Sequence, residues 1–345
     1  MTTVANDLRP AVLGLLLAGL PALAEAQAPT APPDAPASPQ ALVDGLEGAF
    51  GKHAGFRRGS AKGVCAEGHF IGAAQGKAIS SAAAFSGERI PVIARLSVGG
   101  GNPQVSDKAR SMRGLALQLS LPDGERWEMS NISAPVNSIS TPETMLRSLE
   151  ARKLDPATKK PDPAKVAAFN NAHPEVKAQM EWFAKRGVPA SYAAVNYWGV
   201  HAFKFSNAQG QVQYAKWVFE PDGGQELLDD EQLKPLPDHF LADELRRRLA
   251  AQPVAFQMRL QLAEPGDNLV NPTLQWPEGR RVVTVGRLVI DKVESGAGGA
   301  CDPITFNPLV LPKGIEPSDD PVLHARAAAY AESLSRRLSE RDPRR

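Results

Sequence analysis

"SDDPVLHARAAAYAES", residues 318–333, sets Arg326 four positions before Tyr330 in an alanine-rich stretch with helical spacing. Only four tyrosines occur in the chain. Residues four apart stand on one face of a helix, a single turn from each other, so the guanidinium and the phenol meet there. Read locally, the stretch admits an amphipathic surface helix whose tyrosine packs on the core. It equally admits a phenol whose anion is favoured by a permanent cation. Which reading holds depends on what the rest of the chain builds.

Upstream of this helix the chain is rich in strand patterns. "IPVIARLSV" (90–98) and "RGLALQLSLPDGERWEM" (113–129) alternate apolar and polar residues, the second folding at Asp123–Gly124. "WGVHAFKFSNAQGQVQYAKWVFEP" (198–221) is a further hairpin turning at "NAQG", and 254–264 and 280–293 add more strands. Seven or eight strands joined by hairpins suffice for an antiparallel barrel. Helical periodicity predicts helices at 40–52, 142–152, 163–186, 237–251 and 320–340. The class is α+β around a β-barrel, with a single domain over 41–345. "VGGGNP" (98–103) reads as a turn, since it lacks the lysine and hydroxyl of a phosphate-binding loop.

With 345 residues, 43% hydrophobic, and a formal net charge of +1, the chain can bury one large core. The neutral balance and the lack of a basic run argue against a nucleic-acid partner. Arg9 precedes "PAVLGLLLAGLPALA" (10–24), which ends in small residues with A-x-A sites, the pattern of a secretory signal peptide over 1–26. The run is too short to span a membrane, and no other stretch is long and apolar enough. A Pro/Ala-rich linker follows over 27–40. Export to the periplasm is the expectation. In an oxidising compartment the two cysteines, Cys65 and Cys301, can form a disulfide, but two so far apart make no disulfide scaffold.

Several stretches together resemble the haem catalases. "FNPLVLPKGIEPSDDPVLHARAAAY" (306–330) is similar to their haem-ligand segment, with F-x-P, P-x-G-I-E-P-S, an aspartate and R-x-x-x-Y in order. "VIARLSV" and "RGLALQL" resemble the strands that carry propionate and distal-pocket residues, and "WGVHAFKF" the G-x-H-x-F-K strand. "RRGSAKGVCAEGHF" (57–70) matches R-x-x-H-A-K-G…G-x-F except at one place. The chain is short for a full catalase and resembles the small catalase-related peroxidases.

The resemblance implies haem b bound through Tyr330 as axial iron ligand. A phenolate is a known proximal ligand of haem iron, while free phenol ionises at a pKa of about 10, so a cation one turn away is chemically apt. By the same resemblance Asp320 and His201 continue a charge chain behind Arg326, and Arg57, Arg95 and Arg337 take the positions of propionate-binding arginines. Read alone, His201 is equally a satisfied core histidine and each arginine a solvated charge.

On the distal side the family's catalytic histidine, immediately before A-K-G, is replaced by Ser60. Ser97 matches the serine that supports that histidine. The family's distal asparagine lies three residues before a proline; here Ile132 holds that place before Pro135, and Asn131 is one further back. A local shift could bring Asn131 or Asn137 into the pocket. His53 reads as structural and His69 as a core residue. The function implied is an exported haem peroxidase reducing hydrogen peroxide or organic peroxides with an external electron donor, weakened by loss of the histidine. The alternatives are a non-enzymatic haem-binding or sensing protein on the same fold, and a haem-free barrel that binds some other ligand.

Overall fold

The computed structural model describes residues 1–2, 37–294 and 298–341. Of the expected signal peptide only residues 1–2 are described, and of the expected linker only 37–40; Pro39 and Gln40 already belong to the first helix. Residues 37–341 belong to one compact unit. In chain order the elements are α1 (Pro39–Phe50), β1 (Gly63–Gly72), α2 (Ala74–Ile79), β2 (Arg89–Val98), β3 (Arg113–Ser120), β4 (Arg126–Ile132), α3 (Pro142–Ala151), α4 (Pro163–Ala172), α5 (Glu175–Lys185), β5 (Val188–Pro189), β6 (Tyr197–Ser206), β7 (Val212–Pro221), β8 (Leu227–Leu228), α6 (Asp230–Leu233), α7 (Phe240–Ala251), β9 (Val254–Leu262), β10 (Val282–Val293), β11 (Ile315–Pro317) and α8 (Pro321–Ser339).

Eight strands pair antiparallel in the order β6-β4-β3-β2-β1-β10-β9-β7, and β7 pairs back to β6 to close the ring. Closure removes the unpaired edges an open sheet would expose. The short β11 lies beside β6, Ile315 opposite Phe205. The fold is therefore the expected α+β class around an antiparallel barrel. The helix expected over 163–186 is two helices, because Pro174 has no N–H to continue the ladder and biases His173 away from helical dihedrals.

Alternation along each strand sorts its side chains. On β2, Ile90, Val92, Ala94, Leu96 and Val98 join the interior cluster, which leaves Ile93, Arg95 and Ser97 on the outer face. On β4, Trp127 and Met129 point in and Glu128 and Ser130 point out. Inside, Trp217 meets Trp127 edge-on at 5.7 Å and stacks on Phe203 at 4.5 Å. An eight-stranded barrel is only wide enough for its own side chains or one small ligand, and this interior is filled. Chemistry that needs room must therefore use the outer face.

α8 starts where Asp320 caps it, its Oδ1 accepting from the amides of Val322 (2.9 Å) and Leu323 (3.3 Å), with Pro321 at the first helical position. The Ser318 amide donates to the Ala202 carbonyl, which docks this start on β6. Cys65 on β1 and Cys301, 236 residues later, form a disulfide.

Candidate functional site

The Asp320 carboxylate that caps α8 also turns its second oxygen, Oδ2, to His201 Nδ1 on β6 at 2.6 Å. Both residues are buried. On the far side of the imidazole, Arg326 Nη1 stands 3.0 Å from His201 Nε2. One turn later Arg326 reaches the Tyr330 hydroxyl with Nε at 3.1 Å and Nη2 at 2.5 Å. Asp320, His201, Arg326 and Tyr330 form one unbroken chain.

The partners assign its protons. A guanidinium only donates, so His201 Nε2 accepts and Nδ1–H donates to Asp320, which makes the imidazole neutral. Burial drives His201 below its ordinary pKa, the Asp320 bond pulls the other way, and the charge of Arg326 adds to the lowering. For Tyr330, burial would raise the phenol. The charge and hydrogen bonds of Arg326, with the Ser130 hydroxyl and the charge of Arg57, outweigh it and hold Tyr330 below the usual phenol range. Tyr192 and Tyr197 go the opposite way, both pushed up, chiefly by burial.

Because the folded pKa of Tyr330 is depressed, its contribution to stability is present above the ordinary phenol pKa of about 10 and fades as pH falls through the folded value. Arg326→Leu is expected to raise Tyr330 by about one pH unit or more, the usual effect of a removed opposite charge at this range. An alkaline absorbance titration against a Tyr330→Phe control reads it; an unmoved titration would deny Arg326 this role.

A second group of cations stands close by. Arg57 Nη2 donates to the carbonyls of Cys301 (3.0 Å), Asp302 (3.2 Å) and Ile304 (2.7 Å). Arg95 Nη2 donates to the Ala61 carbonyl at 3.1 Å, and Arg337 Nη1 meets Asp302 Oδ1 at 3.1 Å. Burial first, then the charges of Arg95 and Arg337, bring Arg57 down to about 9. Burial likewise brings Arg95 to about 10, with Arg337 adding to the lowering. Three guanidiniums thus crowd one carboxylate, Asp302, which bears on all three. Arg341 pairs with Asp302 as well, so the group carries a surplus of positive charge that favours bound anions.

Between these groups the outer face of the barrel carries mostly small side chains. Register aligns Cys65, Arg95, Ala116 and Ser130 in one row, and Gly63, Ser97, Gly114 and Ile132 in the next. A Cβ at Gly114 would come within 2.6 Å of Ser97 Oγ, so side chains are excluded there. A floor of glycine, alanine and serine accepts a broad planar group. A small-residue floor, a surplus of positive charge and a phenol whose anion is favoured are features that a tyrosine-ligated haem needs, and the residues present fit it.

The distal side departs from expectation in one respect. Asn131 belongs to the inner face of β4, where its Oδ1 accepts from Trp217 Nε1 at 2.6 Å and its Nδ2 donates to the Leu115 carbonyl at 2.8 Å. Alternation after Trp127 and Met129 puts it inside and puts Ser130 and Ile132 outside. Asn131 is a structural tie of the barrel, not a distal group. Asn137 is tied locally too, its Oδ1 accepting from the Ser138 amide. Ser97 lies on the outer face, buried, and Ser60 sits in a bend before β1 with φ of 50°. His53 Nε2 lies 3.3 Å from the Phe50 carbonyl at the end of α1, in keeping with a structural role. His69 is buried on the outer face of β1, 3.4 Å from Asp291. The remaining histidines are committed elsewhere: His173 to Glu175, His239 to Lys62 and His324 to the Ser318 carbonyl.

Three participants escape a reading of the sequence alone. Ser130 favours the Tyr330 anion, and period-2 counting from Trp127 and Met129 would have turned it outward. Asp302 pairs with Arg337 and Arg341 from a segment with no periodic pattern. Lys216 is buried on β7, its Nζ donating to the Leu274 carbonyl at 3.1 Å; burial lowers it to about 8, and the charge of Asp320 acts the other way.

Comparison with known proteins points in the same direction. The catalase family model matches residues 54–342. The chain is 41% identical over 300 residues to a catalase-related peroxidase of Synechococcus elongatus, covering 87% of this chain and 88% of that one. It is 33% identical over 301 residues to a catalase-related peroxidase of Mycolicibacterium paratuberculosis, covering 87% and 95%. Against a catalase of Drosophila melanogaster the identity is 30% over 263 residues, 73% of this chain but only 52% of that longer protein. A fungal catalase crystal structure superposes with a TM-score of 0.76 over 83% of this chain and 60% of its own, at 23% identity, a likeness of fold. On the family match over nearly the whole described body, the chain belongs to the catalase family.

Proposed function

We propose that the chain is an exported haem peroxidase that reduces hydrogen peroxide or organic peroxides with electrons from an external donor. The observation that carries this reading is the chain of contacts Asp320–His201–Arg326–Tyr330, which prepares a phenol to act as an anion. A phenolate ligates haem iron. Tyr330 would hold the iron, Arg57, Arg95 and Arg337 would take the propionates of haem b, and the small residues Gly114 and Ala116 on the outer face would take the ring. Bound haem supplies a redox-active iron centre for the two-electron reduction of a peroxide.

The chain's own residues set how well this runs. Arg326 favours loss of the Tyr330 proton, and Asp320 holds His201 so that Nε2 faces Arg326. At the distal position Ser60 offers a hydroxyl, which is too weak a base to take a peroxide proton near neutral pH. General acid–base help is worth about 10²–10⁴-fold, so its loss favours slow, donor-dependent turnover over rapid disproportionation. Export to the periplasm is supported by the Arg9 and apolar-run pattern, and by the Cys65–Cys301 disulfide, a bond that persists in oxidising compartments. Among the described residues no helix is long and apolar enough to cross a membrane. Soluble peroxide and a diffusible donor are the partners proposed.

One observation favours a second reading. The distal side offers Ser60, Ser97 and Ile132 and neither imidazole nor amide, which suits a haem-binding or sensing protein that performs no turnover. Purified holoprotein given hydrogen peroxide or cumene hydroperoxide with a chromogenic donor separates the two. The peroxidase reading expects saturable donor oxidation with little oxygen release. A haem spectrum that responds to small ligands without any donor oxidation would favour the sensor, and no haem spectrum would end both.

A further inference from the structure

The segment that closes the anion site has no ladder of its own. From 298 to 305 it forms neither helix nor strand, and its backbone bonds are local turns, Asp302 N to Gly299 O (2.8 Å) and Ile304 N to Cys301 O (3.3 Å). Beyond the Ala300 amide, which donates to Glu294 Oε2 at 2.9 Å, three things hold it in place. Arg57 grips the carbonyls of Cys301, Asp302 and Ile304, and the Asp302 carboxylate meets Arg337 and Arg341. The third is covalent, since Cys301 is bonded to Cys65. Two of the three are charges of the anion site itself, so an incoming anion competes with them. Of these three, only the disulfide is indifferent to what the arginines bind.

Its position is also suited to the task. Cys65 lies on the outer face of β1, directly opposite Arg95 in the register, and its carbonyl accepts from the Glu294 amide at 3.0 Å where β10 ends. The disulfide packs with Phe306, Ile93, Ala116 and Ile304, and Ala116 belongs to the floor of the site. The Arg57 guanidinium stands 5.7 Å over the Phe306 ring.

We propose that the Cys65–Cys301 disulfide is a redox latch on the anion-binding wall: closed, it fixes the 298–305 segment and so aims Arg57 and Arg337; opened by a dithiol, it loosens that wall and weakens retention of the carboxylate-bearing cofactor. In the opening step the S–S bond takes two electrons and two protons from the dithiol, giving two thiols here and a disulfide in the reductant. Cys65 and Cys301 are buried, so opening requires the segment to lift first and reduction is slow. The proposal rests on haem being the cofactor, but the latch itself does not.

The test titrates ferric haem, and separately its dimethyl ester, into the oxidised chain, the phosphine-reduced chain and the Cys65→Ser/Cys301→Ser double variant. The expected result is at least about tenfold weaker binding of haem in the reduced chain and the double variant, within the 10- to 100-fold range of outer-shell partners. Reoxidation should restore the parent chain only. The ester has no charged propionates, so its affinity should change less than about twofold. Equal losses for haem and ester would mean general destabilisation and overturn the latch, as would unchanged haem affinity. If the oxidised chain binds no haem, the cofactor reading fails and hydrogen exchange of the apoprotein decides the latch. Amides at 302 and 304 should then lose protection on reduction while those of β2 keep theirs, and unchanged protection at 302 and 304 would overturn the proposal.

Discussion

Replacing Tyr330 with phenylalanine is expected to weaken haem binding by more than about 100-fold, with the barrel still folded. The substitution keeps the ring and removes only the oxygen on which Arg326 converges from two nitrogens. Loss of an outer-shell partner typically costs 10- to 100-fold in affinity, and a direct ligand should exceed that range. Arg326 would keep its contact with His201, so the Asp320–His201–Arg326 part of the chain need not collapse. Far-UV circular dichroism should match the parent, while the haem spectrum should be lost or changed in character. Arg326→Leu is the graded counterpart. It raises the basicity of the phenol, so protons compete with iron at a higher pH, and acid release of haem should begin about one pH unit above that of the parent.

The second large effect is a gain. Ser60→His is expected to raise peroxidase turnover by at least about tenfold, a conservative share of the usual acid–base contribution. An imidazole with a pKa of about 6.5 can both take and return a proton near neutral pH. Backbone conformation does not oppose it, because Ser60 has a φ of 50° and histidine is among the residues that tolerate this left-handed region. Ser97 lies on the outer face one strand away, opposite Gly63 in the register, where a hydroxyl is available to orient the new ring. His53→Ala should change turnover little, since His53 is engaged at the end of α1. If Ser60→His did nothing and His53→Ala abolished activity, the distal position would have to be reassigned to His53.

The features readable from the sequence were those set by near neighbours. Arg326 and Tyr330 meet because four residues make a helical turn, and the strands show because their interior residues alternate. The link to His201 and Asp320 joins positions 119 residues apart, and only the family resemblance pointed to it. Asn131 was misplaced for a definable reason. The local shift that would bring Asn131 into the pocket disregards the alternation of Trp127 and Met129, which fixes that side chain inside the barrel. The single helix expected over 163–186 overlooked Pro174, which ends a helix wherever it cannot kink it. The Arg57 grip on three carbonyls and Asp302 depend on an irregular segment returning to β1 after more than two hundred residues. No periodicity encodes that return.

The central claim is that Tyr330, held as an anion, is the axial ligand of a haem. Resonance Raman spectra of the ferric holoprotein, grown with natural and with ring-deuterated tyrosine, test it most directly. The account predicts ligand-ring bands that shift on labelling, persist in Tyr214→Phe and vanish in Tyr330→Phe. Haem bound with no tyrosine-dependent band, or with bands untouched by Tyr330→Phe, would contradict it.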